Sequence, residues 1–101
     1  MEKKVTKFDL VEGIRQETNY EKRMVQEVFE SALAEIKKAL IDGSTIELRG
    51  FGTFELRLRK ERKRARNPKT GESLSVPPHY IVAFRSGQDL KKAVWDLKIK
   101  E

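Results

Sequence analysis

Apolar residues recur at helical spacing in the first part of the chain and then alternate with charged ones. From Lys7 to Thr18, Phe8, Leu10, Val11 and Ile14 fall on one side of a 3.6-residue period, which predicts a first helix. Thr6 followed by Asp9 has capping-box spacing, the hydroxyl and the carboxylate each taking an orphan backbone N–H. The second run is stronger. Met24, Val25, Val28, Phe29, Ala32, Leu33, Ile36 and Leu40 keep the same period between Tyr20 and Asp42, and Gly43 supplies a stop. Beyond it, "TIELRGFGTFELRLR" sets Ile46, Leu48, Phe54, Leu56 and Leu58 against charged neighbours, as half-buried strands do. Gly50 and Gly52 mark a bend or bulge within it. "HYIVAFR" from His79 to Arg85 reads as another strand. Ser86 and Asp89 repeat the capping spacing ahead of Leu90, Ala93, Val94 and Leu97, which predict a last helix. The expected order is helix–helix–strand–strand–arm–strand–helix in an α+β chain, a single domain over residues 1–101.

The arm, about residues 57–76, breaks the pattern. Its only large apolar residues are Leu58, Leu74 and Val76, so its middle has nothing to bury. Asn67-Pro68 suits the first two positions of a turn and Gly71 can leave it with positive φ. Two extended strands closed between Pro68 and Gly71 follow. Such a ribbon is marginal in water on its own.

Composition changes the picture by adding charge and removing remedies. The chain has 101 residues, a net charge of +6 and no cysteine. A chain this short buries roughly two-thirds of its unfolded surface. Neither disulfides nor a thiolate metal site can reinforce it, which leaves oligomerisation. The charge points to a polyanionic partner. No apolar run approaches the ~20 residues of a membrane span, and the polar start MEKKVTK is not a secretory signal. A cytoplasmic location is expected.

The positive charge is concentrated in Arg57, Arg59, Lys60, Arg62, Lys63, Arg64, Arg66 and Lys69, with Glu61 the one acid among them. Guanidinium groups in series suit a row of phosphates, and a solvated charge run has the same composition. Pro68 admits two readings from its context. It shapes the turn, or it is an apolar wedge carried into a nucleic-acid groove. His79, the sole histidine, has no second ligand or nucleophile beside it and is read as structural. No residue set suggests catalysis, a metal, a cofactor or a small-molecule substrate, so an enzyme is not expected.

"GFGTF" at Gly50–Phe54, "ARNPKTGE" at Ala65–Glu72 and "AFRSGQDLKKAV" at Ala83–Val94 resemble the HU/IHF family of bacterial architectural DNA-binding proteins. The resemblance spans about Thr6 to Leu97, with the motifs in family order. It implies an intertwined dimer with a helical base, a β-sheet saddle and two protruding β-ribbon arms that embrace duplex DNA from the minor groove. The family is itself a type case of minor-groove wedging, so the resemblance makes Pro68 an intercalating residue beside Asn67 and the arm cations. It places Phe51, Phe54 and Phe84 at a dimer core. It also makes Arg49 a minor-groove reader oriented by Glu47, as in IHF β-type subunits; plain solvent-facing alternation is the other reading of that pair. Lys7, Lys91 and Lys92 become body phosphate contacts, or solvated lysines. The expected function is HU-like bending and compaction of DNA in the nucleoid by a homodimer. An IHF-like protein with site preference, including one half of a heterodimer, is the alternative, and an RNA-binding basic hairpin is a further one.

The sequence departs from the family in places. Three residues, Lys63, Arg64 and Ala65, stand between Glu61-Arg62 and Arg66-Asn67-Pro68 where two are common, which predicts a bulge. Gln88 stands where HU chains often carry Lys, and Val82 replaces a common Pro. Pro77-Pro78 cannot donate to a ladder and should interrupt pairing. The stretch from Trp95 to Glu101 predicts a longer last helix.

Overall fold

The computed structural model describes residues 3–60, 62–66, 73–97 and 99. It contains α1 (Lys7–Thr18), α2 (Lys22–Ile41), β1 (Ile46–Leu48), β2 (Gly52–Arg59), β3 (Arg62–Arg66), β4 (Ser73–Val76), β5 (His79–Ser86) and α3 (Gln88–Trp95). The class is α+β, in the expected order of elements. The chain forms two compact units, residues 1–38 and 39–101.

In the first unit, α1 opens with the predicted capping box. Asp9 N–H donates to the Thr6 hydroxyl at 3.3 Å, and Thr6 N–H donates to the Asp9 carboxylate at 2.9 Å. The helix ends at Asn19, whose φ of 63° and N–H donated to the Arg15 carbonyl close it. That left-handed residue delays α2 to Lys22, two residues after the expected start at Tyr20. Only Val11 and Val25 are buried apolar residues among those described. Ile14, Tyr20, Met24, Val25, Val28 and Phe29 line an apolar groove on this unit. Val28 remains 64% exposed.

Near the start of the second unit Gly43, at φ +87°, stops α2, its N–H donated to the Leu40 carbonyl. β1, β2 and β5 form one antiparallel sheet in that order, and β3 and β4 form a second. Pairing stops between them at Pro77-Pro78, as two residues without an N–H require. Register divides the sheet into faces. Ile46↔Phe54, Leu48↔Gly52, Phe54↔Phe84, Leu56↔Val82 and Leu58↔Tyr80 share one, which is apolar. Glu47↔Thr53, Thr53↔Arg85, Glu55↔Ala83, Arg57↔Ile81 and Arg59↔His79 share the other.

Two expectations for the last helix fail. Ser86 ends β5 and does not cap α3; Gly87 is the N-cap and makes no side-chain cap bond. Gly87 instead donates its N–H to the Phe51 carbonyl at 2.8 Å, so the strand-to-helix junction is held by the β1–β2 turn. The helix stops at Trp95 with Asp96 as its cap, so Leu97 lies beyond it. The stretch from Trp95 that suggested a longer helix has no core to serve in the protomer: Trp95 and Leu97 are 79% and 70% exposed.

Candidate nucleic-acid interface

The polar face of the sheet carries an arginine cluster organised by one acid. Glu55 accepts from Arg57 Nε at 3.2 Å and lies 3.5 Å from an Arg85 guanidinium nitrogen. Alternation puts Glu55 and Arg57 on the same face of β2, and the β2–β5 register brings Arg85 opposite Thr53 on that face. Both arginine side chains remain more than half exposed, against 23% for the Glu55 side chain. The acid therefore holds two cations at the surface with donors left over for an external anion. Arg85 was not singled out in the sequence. Its signal is the register, which only the pairing of β2 with β5 supplies.

Arg57 and Arg59 belong to the body sheet, paired with Ile81 and His79, and the ribbon itself begins at Arg62. Lys60 is an exposed residue between β2 and β3. His79 Nδ1 lies 2.9 Å from the Pro77 carbonyl, which only accepts, so the ring ties down the start of β5. Within the ribbon, Arg62 pairs with Val76, Ala65 with Leu74 and Arg66 with Ser73. Three steps along β3 match two along β4. This is the predicted bulge, at Lys63–Arg64. Asn67, Pro68 and Lys69 lie outside the described residues.

Arg49 occupies the corner of the β1–β2 turn. Phe51 N–H donates to the Leu48 carbonyl at 2.9 Å, and Gly50 has φ +86°. With positive φ at the third position and Arg49 not itself left-handed, this is the geometry of a type II turn, which needs glycine there. Glu47 lies on the polar sheet face, and no ion pair joins it to Arg49 in the protomer; the acid that engages arginines on this face is Glu55.

The expected body contacts fall in both units. Lys7 lies 3.8 Å from Glu30 in the first. Lys91 and Lys92 are exposed on α3 beside Trp95 and Asp96 in the second.

The opposite sheet face carries the phenylalanines. The Phe84 ring packs against Phe51 and Phe54 at centroid distances of 5.3 and 4.9 Å, both tilted. Gly52 is buried beneath this cluster; a Cβ there would fall 2.5 Å from the Phe84 ring. Yet Leu58, Tyr80, Val82 and Phe84 are 58%, 67%, 55% and 42% exposed. These side chains share one apolar face and stay largely exposed in the protomer. Among the described residues no group of His, Asp or Glu could hold a metal ion, and no helix is long and apolar enough to cross a membrane.

A family model described as bacterial DNA-binding protein matches residues 5–95. Integration host factor subunit alpha of Vibrio atlanticus is 42% identical over 97 residues, covering 96% of this chain and 98% of the relative. The same subunit of Alkalilimnicola ehrlichii is 44% identical over 90 residues, covering 89% and 88%. The Anabaena HU–DNA cocrystal structure superposes with a TM-score of 0.83 at 34% identity, over 90% of this chain and 98% of that one. An HU variant from Thermotoga maritima shares the fold, with a TM-score of 0.65 at 24% identity over 88% and 97%.

Proposed function

The chain belongs to the bacterial DNA-binding protein family of HU and integration host factor, and from that premise we propose how its residues serve DNA. It is an architectural DNA-binding protein. Two protomers join through the apolar sheet face and the apolar groove on the helices. Each then presents its arginine-bearing sheet face and its ribbon to a duplex, in the nucleoid of the bacterial cytoplasm. The ribbon cations take phosphates along the minor groove. Pro68 enters a base step and kinks it, an unstacking cost of a few kcal/mol offset by wrapping more DNA on the protein. Asn67 and Lys69 flank that wedge, Lys7, Lys91 and Lys92 take phosphates of DNA bent back along the body, and no catalytic step is involved.

The observation that carries this reading is the division of one sheet into an uncovered apolar face and an arginine face, continued into a cation-rich ribbon. The test is Pro68→Ala, followed by DNA circularisation or FRET and by the salt dependence of binding. Bending should fall while the salt slope stays within about one phosphate equivalent of the wild type. An unchanged bend with a lower slope would reduce Pro68 to a turn residue. Competition by duplex RNA at equal salt separates the RNA-binding alternative.

A second reading has its own support. The two relatives at 42% and 44% identity are both integration host factor alpha subunits, which favours site preference and a second, different subunit over a general compacting homodimer. Arg49, exposed at its turn corner, is the residue to read a narrow, electronegative minor groove. Arg49→Ala should then flatten the affinity differences among DNA sites. Equal losses on every site would make it a general phosphate contact.

A further inference from the structure

The β1–β2 turn that carries Arg49 is packed from one side by the first turn of α3. Gly87 donates its N–H to the Phe51 carbonyl, and a Cβ on Gly87 would fall 3.3 Å from that carbonyl's carbon and oxygen, so no side chain separates the two elements. Asp89 follows two residues into the helix. Its Oδ2 lies 3.5 Å from the position of a Gly50 Cβ, and among the described residues it is the only atom within 4 Å of that position apart from the flanking residues. With about 3.8 Å between consecutive Cα atoms, the carboxylate lies within about 9 Å of the Arg49 Cα, a span that an extended arginine and one hydrogen bond cover. Glu47 is committed elsewhere, on the polar sheet face opposite Thr53. Asp89 and Arg49 are both exposed, and no ion pair joins them in the free protomer. In water such a pair contributes little. Against DNA the surrounding water is displaced, and the same two charges attract more strongly. A guanidinium has five N–H donors in a fixed plane, enough to meet base-edge acceptors on one side and a carboxylate on the other.

We propose that Asp89 is the positioning residue for Arg49, pairing with its guanidinium when the turn meets a narrow minor groove and so fixing the angle at which it enters. The proposal rests on the groove-reading role given to Arg49 above. The full-length protein is titrated with two duplexes of equal length, one with a central A-tract and one of mixed sequence, and the ratio of affinities is the A-tract preference. Asp89→Asn keeps the shape and removes the charge. It should cut the preference about tenfold, the low end of couplings between close interfacial charges. Affinity for the mixed duplex should not fall, because an acid has left a surface presented to phosphates. In the Arg49→Ala background the same substitution should leave the preference where Arg49→Ala put it, and Glu47→Gln should leave the wild-type preference intact. A full preference in Asp89→Asn, or a further loss of the same size in the Arg49→Ala background, overturns the proposal. Loss with Glu47→Gln alone gives the positioning role to Glu47 and overturns it too. Equal losses on both duplexes, with a lower melting temperature, reduce Asp89 to an acid that serves the α3 dipole. Failure of the underlying reading looks different: Arg49→Ala itself would keep the A-tract preference.

Discussion

Phe84→Ala separates a folded protomer from half of a dimer. The ring touches Phe51 and Phe54 and is 42% exposed in the protomer. Truncating a fully enclosed Phe costs about 3–5 kcal/mol. A ring with little more than half its surface covered should cost about 2 kcal/mol, the tilted ring contacts included. The two situations differ by more than the error of a urea titration. If a second protomer covers the rest of the ring, the loss rises to about 3–5 kcal/mol and the midpoint depends on protein concentration. Raising the protomer concentration about a hundredfold should then stabilise both proteins by about 2.7 kcal/mol. Urea unfolding followed by far-ultraviolet circular dichroism at two such concentrations reads both quantities. Identical midpoints at the two concentrations, with a loss near 2 kcal/mol, would refute the reasoning that this face is built to be covered by another chain.

Two further outcomes follow from contacts inside the units. Gly52→Ala should destabilise by about 1–3 kcal/mol, because the added Cβ falls 2.5 Å from the Phe84 ring and 2.7 Å from the Arg85 carbonyl oxygen. The ring can swing aside, but the carbonyl belongs to a paired strand. Introducing Gly52→Ala into Phe84→Ala should therefore still cost stability, and a neutral effect in that background would place the whole clash on the ring. Glu12 supplies an acid-side signal. Hydrogen bonds from Arg15 hold its carboxyl below its ordinary 4.5, against a smaller desolvation that raises it and with added attraction from Arg15 and Lys22. A depressed folded pKa stabilises above the unfolded value and is lost as pH falls through the folded one. Melting temperature should thus drop on acidification below 4.5, by less in Arg15→Met, whose Glu12 should titrate closer to 4.5 by NMR.

The helices were legible because their signals are local. Thr6 with Asp9, Gly43 after Leu40 and the 3.6-residue period each act within a few residues, and the structure realises each one. Ser86 with Asp89 has the same local signature as Thr6 with Asp9 and fails. At Ser86 the backbone is already committed to β5 opposite Gly52, and a residue paired in a ladder cannot also cap a helix. Tertiary pairing overrides a local motif there. The composition of the candidate site was legible and its partition was not. Charge counting gathers Arg57, Arg59 and Arg62 into one run, whereas the pairing assigns the first two to the body sheet and the third to the ribbon. Glu55 looked like one more alternating charge until the register brought Arg85 onto its face.

That register explains where this chain tolerates an extra residue. In β1, β2 and β5 every even-numbered residue from Ile46 to Leu48, Gly52 to Leu58 and Tyr80 to Phe84 lies on the apolar face. The odd-numbered residues, Glu47, Thr53, Glu55, Arg57, Arg59, His79 and Arg85 among them, lie on the other. One inserted residue in β2 would move every later side chain to the wrong face at once, exposing Leu58 to the DNA side and turning Arg59 toward the partner subunit. Both proposed interfaces would fail together. β3 lies beyond the point where β2 stops pairing with β5, in a separate two-stranded sheet. A bulge there disturbs one ladder position and leaves the body sheet's parity intact. The register shift at Lys63–Arg64 thus sits in a stretch of paired strand where an extra residue leaves both faces of the body sheet unchanged.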